Sequence, residues 1–314
     1  MAITPDDILL AAERIAPHVR QTPLWKLPGS ALGLPIDAPA FEVWLKLEHL
    51  QRSGSFKARG MFNRMRSNEI PAAGVVIASG GNAAIAVACA AKALGVPCEV
   101  FVPQAASRAK RDRLAALGAI VNVVGASYGD ALAASLARQS ESGALLMHAY
   151  DQREVLIGAA TLAAEVEADA GVPDRALVSV GGGGLIGGVC AWFAGRCAID
   201  ALEPELAPTL HRARTAGRPV DVEVSGIAAD SLGARRIGAI AWPLTQRHVS
   251  ASHLLGEAAI RAAQETMWRE LRLAVEPAAA LPLAALTTRV VAPRRGEKVL
   301  LIVCGANVDV ATLA

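Results

Sequence analysis

The sequence has 314 residues, of which 53% are hydrophobic and 19% are charged, and its formal net charge is +2. A chain of this length and composition forms a globular protein with an extended core rather than a disordered segment. Its basic residues are scattered, which argues against nucleic acid and anionic membranes as partners.

The N-terminal residues place acids in an early helical turn and lack the basic, apolar and small-residue order of a secretion signal. Apolar stretches such as 83–91 stop short of the roughly 18 residues that a membrane span needs. The cysteines are odd in number and have no CxxC spacing, and four of the five are typical of buried free thiols; they are Cys89, Cys98, Cys190, Cys197 and Cys304. We therefore expect a cytoplasmic protein.

Short β-rich runs alternate with Ala-rich amphipathic runs along the chain. Strands are predicted at 41–48, 74–80, 98–103, 119–125, 145–150, 176–181 and 298–305. Helices are predicted near 57–68, 82–94, 105–117, 127–140, 153–170 and 185–196. The alternation predicts an α/β fold with parallel sheets covered by helices, and the polar, Arg-rich region 204–250 is predicted to be largely loop.

The first unusual residue is Lys57 in "HLQRSGSFKARG" (49–60). Ser53 and Ser55 are good N-cap residues, so Lys57 falls in a first helical turn, where the helix dipole disfavours a cation. A solvated surface lysine is one interpretation. The other is an amine of depressed pKa, because a neutral amine is the form that reacts with carbonyl groups.

A loop with Ser79, two glycines and Asn82 follows the strand at 74–80 and opens a helix. An ordinary turn with Asn82 as N-cap would explain it, and so would a cradle for a small anion such as a carboxylate.

The strand at 176–181 runs into "GGGGLIGG" (181–188) and then into a helix. Consecutive backbone N–H groups at a helix N-terminus favour a phosphate site. Gly182, Gly184 and Gly187 also satisfy GxGxxG, and Asp200 follows at the end of a short possible strand, at a spacing compatible with a dinucleotide site. A nucleotide-binding oxidoreductase therefore stays open as an alternative, as does a simple packing turn.

Two segments near the C-terminus complete the candidates. In "VEPAAA" (275–280), Glu276 and Pro277 stand in the order expected for helix capping. "CGAN" (304–307) ends the last predicted strand, at the edge where open α/β sheets bind ligands, although most cysteines in such places are simply buried. A lysine, a phosphate cradle and a carboxylate cradle together suit pyridoxal phosphate acting on an amino acid.

With these motifs in view, the chain resembles the serine/threonine dehydratases within the fold-type II, tryptophan synthase β-like pyridoxal phosphate enzymes. The likeness extends over "KLEHLQRSGSFKARG", "SGGN", "GGGGLIGG" and "CGAN", and over segments 202–210, 227–238 and 271–280. It implies a small domain of residues 46–150 inserted into a large cofactor-binding domain of residues 1–45 and 151–314. The cofactor would lie in the cleft between the domains, and the protein would be a homodimer.

The resemblance also implies a role for individual residues. Lys57 would bind the cofactor covalently and act as the catalytic base, with Phe56 beside the ring, Asn82 at the ring oxygen and Cys304 at the ring nitrogen. The phosphate would be bound by Gly181, Gly182, Gly183, Gly184 and Leu185. The substrate carboxylate would be bound by Ser79, Gly81, Asn82 and Ala83.

The chain departs from the family pattern at several positions. Family members usually have His and Gln soon after Asn82, whereas Ala83, Ala84 and Ile85 follow here, and "GAAT" (158–161) stands where many dehydratases have GQGT. The family's metal ligands correspond to Glu203, Ala207 and a third position that is Thr209 here, which argues against a divalent ion. A monovalent ion at Glu203 and Ala207 stays open, as does a simple loop acid at Glu203. Serine racemases of the family carry a serine as a second base where this chain has Gly80, and the regulatory domain of biosynthetic threonine dehydratases is not expected.

The resemblance predicts a pyridoxal phosphate dependent lyase that dehydrates and deaminates L-serine, L-threonine or a close hydroxy amino acid to a 2-oxo acid and ammonia. A racemase, a β-replacement enzyme and a catalytically weak homologue are the alternatives with the same cofactor. The GxGxxG oxidoreductase is the alternative from another class.

Overall fold

A computed structural model describes residues 2–34 and 39–313 of the chain. Its strands are β1 (Leu24–Pro28), β2 (Glu42–Lys46), β3 (Val75–Ala78), β4 (Cys98–Val102), β5 (Ile120–Val123), β6 (Leu145–Leu146), β7 (Arg175–Ser179), β8 (Ala198–Pro204), β9 (Val249–Leu255) and β10 (Lys298–Ile302). The ends of the predicted large domain, Met1 and Ala314, and residues 35–38 within it lie outside the described residues.

The helices alternate with these strands, as an α/β fold requires. They are α1 (Pro5–Ile15), α2 (Lys57–Arg66), α3 (Asn82–Leu94), α4 (Arg108–Ala116), α5 (Tyr128–Ser142), α6 (Arg153–Ala170), α7 (Gly184–Phe193), α8 (Thr209–Ala216), α9 (Ala229–Leu232), α10 (Ala241–His248), α11 (Glu257–Leu271) and α12 (Pro277–Thr287). None of the helices in the described part of the chain is long and apolar enough to cross a membrane.

The strands form two separate sheets. The larger has six strands in the order β1-β2-β10-β7-β8-β9, and only β1 runs antiparallel to its neighbour. The smaller is a parallel sheet of four strands in the order β5-β4-β3-β6. The predicted α/β class with parallel sheets flanked by helices is therefore confirmed.

Each sheet has its own apolar core. The central strands β7, β10 and β3 are buried along most of their length, as expected for parallel strands with helices on both faces. One large cluster surrounds the six-stranded sheet, and a second joins α2 and α3 to the four-stranded sheet.

Region 204–250 differs from its prediction as loop. It contains α8, α9 and α10 and ends at β9, and β8 and β9 form one side of the larger sheet. The short possible strand ending at Asp200 is the first part of β8, which continues to Pro204 and buries both Asp200 and Glu203.

Candidate active site

One cleft brings together the carboxyl ends of strands from both sheets. β3 leads into the Asn82 loop, β7 into the glycine loop and β10 into Cys304, and this is the edge at which α/β proteins bind ligands. The residues that line the cleft are Phe56, Lys57, Asn82, Ser179, Gly181, Gly182, Gly183, Gly184, Leu185, Ser231, Leu232, Glu276, Ala278 and Cys304. All of the residues predicted to contact a cofactor are among them.

Lys57 is the first residue of α2, so its predicted place in a first helical turn is confirmed. The expected serine cap is wrong: Phe56 occupies the N-cap position without a side-chain bond, and the Ser53 hydroxyl donates to the Ser55 carbonyl at 3.2 Å instead. The Lys57 amine donates to the backbone carbonyl of Ala149 at 2.8 Å. Lys57 is therefore tied to the chain just before α6 rather than solvated.

Burial lowers the pKa of the Lys57 amine to about 8 from an ordinary value of 10.5, although the charge of Glu276 acts in the opposite direction. The direction agrees with the sequence interpretation, but the main cause is loss of water around the amine rather than the start of the helix. A useful fraction of this amine is consequently neutral near pH 7.

The glycine loop forms a concave turn between β7 and α7. Gly183 has a φ of 94° and is the N-cap of α7, a conformation that side chains other than glycine rarely adopt. A Cβ at Gly182 would overlap the ring of Tyr150, and one at Gly184 would lie 3.1 Å from the Cβ of the same tyrosine. The first N–H groups of α7 have no partner within the helix, so this turn can accept an anion.

Asn82 is the first residue of α3, and Gly81 is its N-cap. The alternative in which Asn82 caps the helix is therefore wrong. Its amide nitrogen donates to both carboxylate oxygens of Glu276 at 2.8 and 2.9 Å. Among the four predicted substrate-binding residues only Asn82 is part of the cleft lining, whereas Ser79, Gly81 and Ala83 lie on the adjoining loop and first turn of α3.

Cys304 follows β10 and is buried beside the lysine motif. Its carbonyl accepts the N–H of Phe56 at 3.0 Å, and Gly305 forms a bridge with Ser55. Burial raises the pKa of the Cys304 thiol well above its ordinary value of 9.0, so the sulfur stays protonated and neutral. The cleft thus offers a weak, uncharged hydrogen-bonding group at this position.

Glu276 has a different role from the capping role that the sequence indicated. It occupies the N-cap position of α12, but its side chain makes no capping bond. The carboxylate instead faces Asn82 and Ser231, and burial raises its pKa against the hydrogen bonds that it accepts. It is the one acidic side chain among the described residues that line the cleft.

Ser231 and Leu232 from α9 were not singled out from the sequence. The Leu232 backbone would lie 3.0 Å from a Cβ at Gly181, so α9 packs directly on the glycine loop. The only sequence signal for this contact was the likeness of segment 227–238 to the dehydratases.

Two acids from the sequence analysis have structural partners away from the cleft. Asp200 is buried in β8 and pairs with Arg175 at 2.5 Å, so it does not face the glycine loop as a dinucleotide ligand would. Glu203 accepts the backbone N–H groups of Leu210 and His211 at 2.6 and 2.7 Å, at the start of α8. Burial raises the pKa of Glu203 to about 8.

The possible metal ligands Glu203 and Ala207 thus lie on either side of the turn between β8 and α8, with the carboxylate already bound to N–H groups. Glu203 is a strand residue rather than the loop acid that the sequence suggested. The described residues contain no group of three or more His, Cys, Asp or Glu side chains that could hold a metal ion.

Comparison with known proteins finds a matching family model and relatives that include two named for elimination reactions on amino acids. A family model described as "Pyridoxal-phosphate dependent enzyme" matches residues 15–305. Phenylserine dehydratase of Ralstonia pickettii is 36% identical over 282 residues, covering 88% of this chain and 86% of that protein. L-threonine ammonia-lyase of Geobacter sulfurreducens is 36% identical over 313 residues, covering 97% and 75%.

The fold is also found among solved structures. The structure of maize serine racemase superposes with a TM-score of 0.91 at 31% sequence identity, covering 100% of this chain and 96% of that chain.

Proposed function

Because this chain belongs to the pyridoxal-phosphate dependent enzyme family, we propose that it is a lyase acting on a small hydroxy amino acid such as L-serine or L-threonine. The reaction is α,β-elimination, which releases the β-hydroxyl group as water and then yields a 2-oxo acid and ammonia. One observation carries this proposal. Lys57, the glycine loop and Cys304 meet in a single cleft although they are far apart in sequence.

The residues of the cleft fit pyridoxal phosphate chemically. The glycine loop has no side chains and leaves helix N–H groups free for a phosphate, and Lys57 supplies a partly neutral amine for an aldehyde. Glycine at position 182 is required by the Tyr150 ring, because a Cβ there would overlap it.

We assign roles to the cleft residues on this basis. Lys57 would bind the cofactor covalently, and Gly181, Gly182, Gly183, Gly184 and Leu185 would bind its phosphate. Phe56, Asn82 and Cys304 would contact the ring face, the ring oxygen and the ring nitrogen. Ser79, Gly81, Asn82 and Ala83 receive the substrate carboxylate, for which the N-terminus of α3 supplies N–H donors.

When bound, pyridoxal phosphate supplies a conjugated system that disperses the negative charge left on Cα after proton removal. Lys57 would be the base for this proton, because its amine is neutral often enough near pH 7 and is held at the Ala149 carbonyl inside the cleft. Cys304 donates only weakly, since its thiol is neutral and buried. Such a partner does not hold the ring nitrogen protonated, and this favours rapid elimination over long-lived carbanion chemistry.

The proposal is tested by incubating the purified protein with pyridoxal phosphate and L-serine or L-threonine and measuring 2-oxo acid release. We expect activity and a visible cofactor band that borohydride bleaches. Lys57→Ala should lack both, whereas Lys92→Ala, a change at an exposed lysine of α3, should keep both. A parent protein with neither band nor 2-oxo acid would overturn the proposal.

A racemase is the second candidate, because the fold is so similar to that of maize serine racemase. Gly80 has no side chain that could return a proton to the opposite face of Cα, which favours elimination. Chiral analysis of the same reaction mixtures distinguishes the two outcomes, since a racemase would form D-serine faster than pyruvate.

We further propose two domains centred on the two sheets, residues 46–150 and residues 1–45 with 151–314, a homodimeric assembly and a cytoplasmic location. The separate apolar clusters support the domains, the resemblance to the dehydratases supports the dimer, and five free cysteines support a reducing compartment. Light scattering at micromolar concentration tests the dimer, and a monomeric mass would refute it.

A further inference from the structure

A series of side-chain hydrogen bonds runs from the surface of α4 into the cleft. The Arg113 guanidinium donates to the Asn307 amide oxygen at 2.6 Å, and the Asn307 amide nitrogen donates to the Asn82 amide oxygen at 2.5 Å. The Asn82 amide nitrogen then donates to Glu276. We call these four residues the amide relay.

The two ends of the amide relay determine its direction. A guanidinium can only donate hydrogen bonds, and an ionised carboxylate can only accept them. Each asparagine amide has one donor end and one acceptor end, so one orientation of both amides satisfies every bond between Arg113 and Glu276. The opposite orientation would set the Asn82 oxygen against the carboxylate and the Asn307 nitrogen against the guanidinium.

The backbone around the amide relay is shaped to hold it. A Cβ at Gly54, whose φ is 75°, would overlap the Asn307 amide oxygen, and a Cβ at Gly305 would lie 2.5 Å from Glu276 Oε1. Asn307 also donates to the Ser53 carbonyl at 3.1 Å. Glycines of the "SGSFK" and "CGAN" motifs therefore provide the space in which the relay side chains lie.

Glu276, at the inner end of the amide relay, has further hydrogen bonds besides those from Asn82. Its backbone N–H donates to the Gly305 carbonyl at 3.1 Å, and its carboxylate also accepts hydrogen bonds from the Ser231 side chain and the Asn307 backbone. Because the side chain does not cap its own helix, its contacts are directed at the cleft.

We propose that Arg113 and Glu276 are positioning residues that act through Asn82, keeping its amide nitrogen rather than its oxygen available to the cofactor's ring oxygen. This inference rests on the proposed function, in which Asn82 contacts that oxygen. An amide has two N–H groups, so the Asn82 nitrogen can share one N–H between the two Glu276 oxygens and offer the other to the cofactor. A reversed amide would place two oxygens against each other and weaken cofactor binding.

The experiment replaces the hydrogen-bond donor at the outer end of the amide relay with an acceptor. Arg113 is exposed, and a substitution at an exposed position seldom affects folding. Arg113→Lys keeps a donor that cannot accept, whereas Arg113→Glu supplies a group that can only accept. Arg108→Glu is the matched control, because Arg108 lies on the same helix, is exposed and, among the described residues, pairs only with Asp112. Glu276→Gln removes the charge at the inner end.

Each variant is prepared as apoprotein and titrated with pyridoxal phosphate, with the visible band and its pH dependence as readouts that do not depend on turnover. We expect about tenfold weaker binding and a shifted band for Arg113→Glu and Glu276→Gln, as lost hydrogen bonds to charged groups cause. Arg113→Lys and Arg108→Glu should stay close to the parent. KM and kcat under saturating cofactor then show whether the loss is confined to cofactor binding.

The outcomes separate the two proposals. If the parent protein takes up no pyridoxal phosphate, the proposed function is wrong and the role of the amide relay falls with it. If the parent binds the cofactor but Arg113→Glu matches Arg108→Glu in affinity and spectrum, the amide relay alone is wrong. A shift of the visible band in Arg113→Glu that is absent in Arg113→Lys supports the role of the amide relay.

Discussion

The pH dependence of cofactor capture follows from the burial of the Lys57 amine. With a pKa of about 8, about one amine in ten is neutral at pH 7. An ordinary lysine of pKa 10.5 would be neutral in only about one molecule in 3,000 at the same pH. The cleft therefore raises the concentration of the reactive form by about two orders of magnitude.

The assay is rapid mixing of apoprotein with pyridoxal phosphate while the visible band is recorded. We expect the rate of band formation to rise about tenfold per pH unit below pH 8 and to level off above it, because only the neutral amine reacts. Nα-acetyl-lysine under the same conditions corrects for ionisation of the cofactor itself. Lys57→Met should form no visible band at any pH in this range.

A rate that keeps rising until about pH 10.5 would refute the reasoning, since it would mean that the Lys57 amine is fully solvated. Stability provides an independent check. The unfolded chain holds the Lys57 proton up to about pH 10.5 and the folded apoprotein only up to about pH 8, so the stability of the parent should rise between these values. Lys57→Met should lack that rise in urea unfolding.

Three further predictions concern the packing around the cleft. Gly182→Ala should weaken pyridoxal phosphate binding by about 1–3 kcal/mol through overlap with the Tyr150 ring; titration of the double variant with Tyr150→Ala should show recovery, and no recovery would rule out the overlap as cause. Arg59→Met leaves the Glu48 carboxylate buried without its partner, so urea unfolding should show a loss of about 3–5 kcal/mol; adding Glu48→Gln should cost little more, and fully additive losses would contradict this pairing. Gly80→Ser should increase D-serine formed from L-serine in chiral chromatography, because open space at this position accommodates a hydroxyl; an unchanged D-serine fraction would show that Gly80 does not decide between elimination and racemisation.

The regular elements with strong local signals were predictable. The predicted helices at 82–94 and 153–170 coincide with α3 and α6. Both have long runs of good helix formers, and α3 also ends at a glycine with a positive φ. The buried strands β3 and β10 were recognisable for a similar reason, because a short apolar run after a turn is typical of a parallel strand.

Elements whose stability depends on distant partners were not predictable. β1 was missed because it is an antiparallel edge strand with only partly buried side chains. β8 was recognised only as a short possible strand ending at Asp200, because it buries Asp200 and Glu203, which are acceptable in a core only when Arg175 and the N-terminus of α8 are beside them. No local sequence pattern predicts that Arg175 and the N-terminus of α8 will lie beside these two acids.

Glu276 shows the same limit within the site. Its position before a proline at a helix start satisfies the local capping rule completely, yet the structure shows no capping bond. Its carboxylate instead contacts Asn82, which is 194 residues away in sequence. A local rule that explains a residue fully can therefore hide a long-range function.

The position of the reactive amine depends on two helices that lie behind it. A Cβ at Gly60 would lie 2.6 Å from the Val155 carbonyl, and one at Gly158 would lie 2.5 Å from the Arg59 carbonyl, so the backbones of α2 and α6 touch. α2 begins with Lys57, and α6 follows the segment whose Ala149 carbonyl accepts the Lys57 amine. A side chain at either glycine would force the two helices apart, and we expect this to shift Lys57 relative to the Ala149 carbonyl. Under the proposed function, the glycines of "KARG" and "GAAT" therefore matter to the chemistry as well as to the core, because they set where the amine lies relative to the glycine loop.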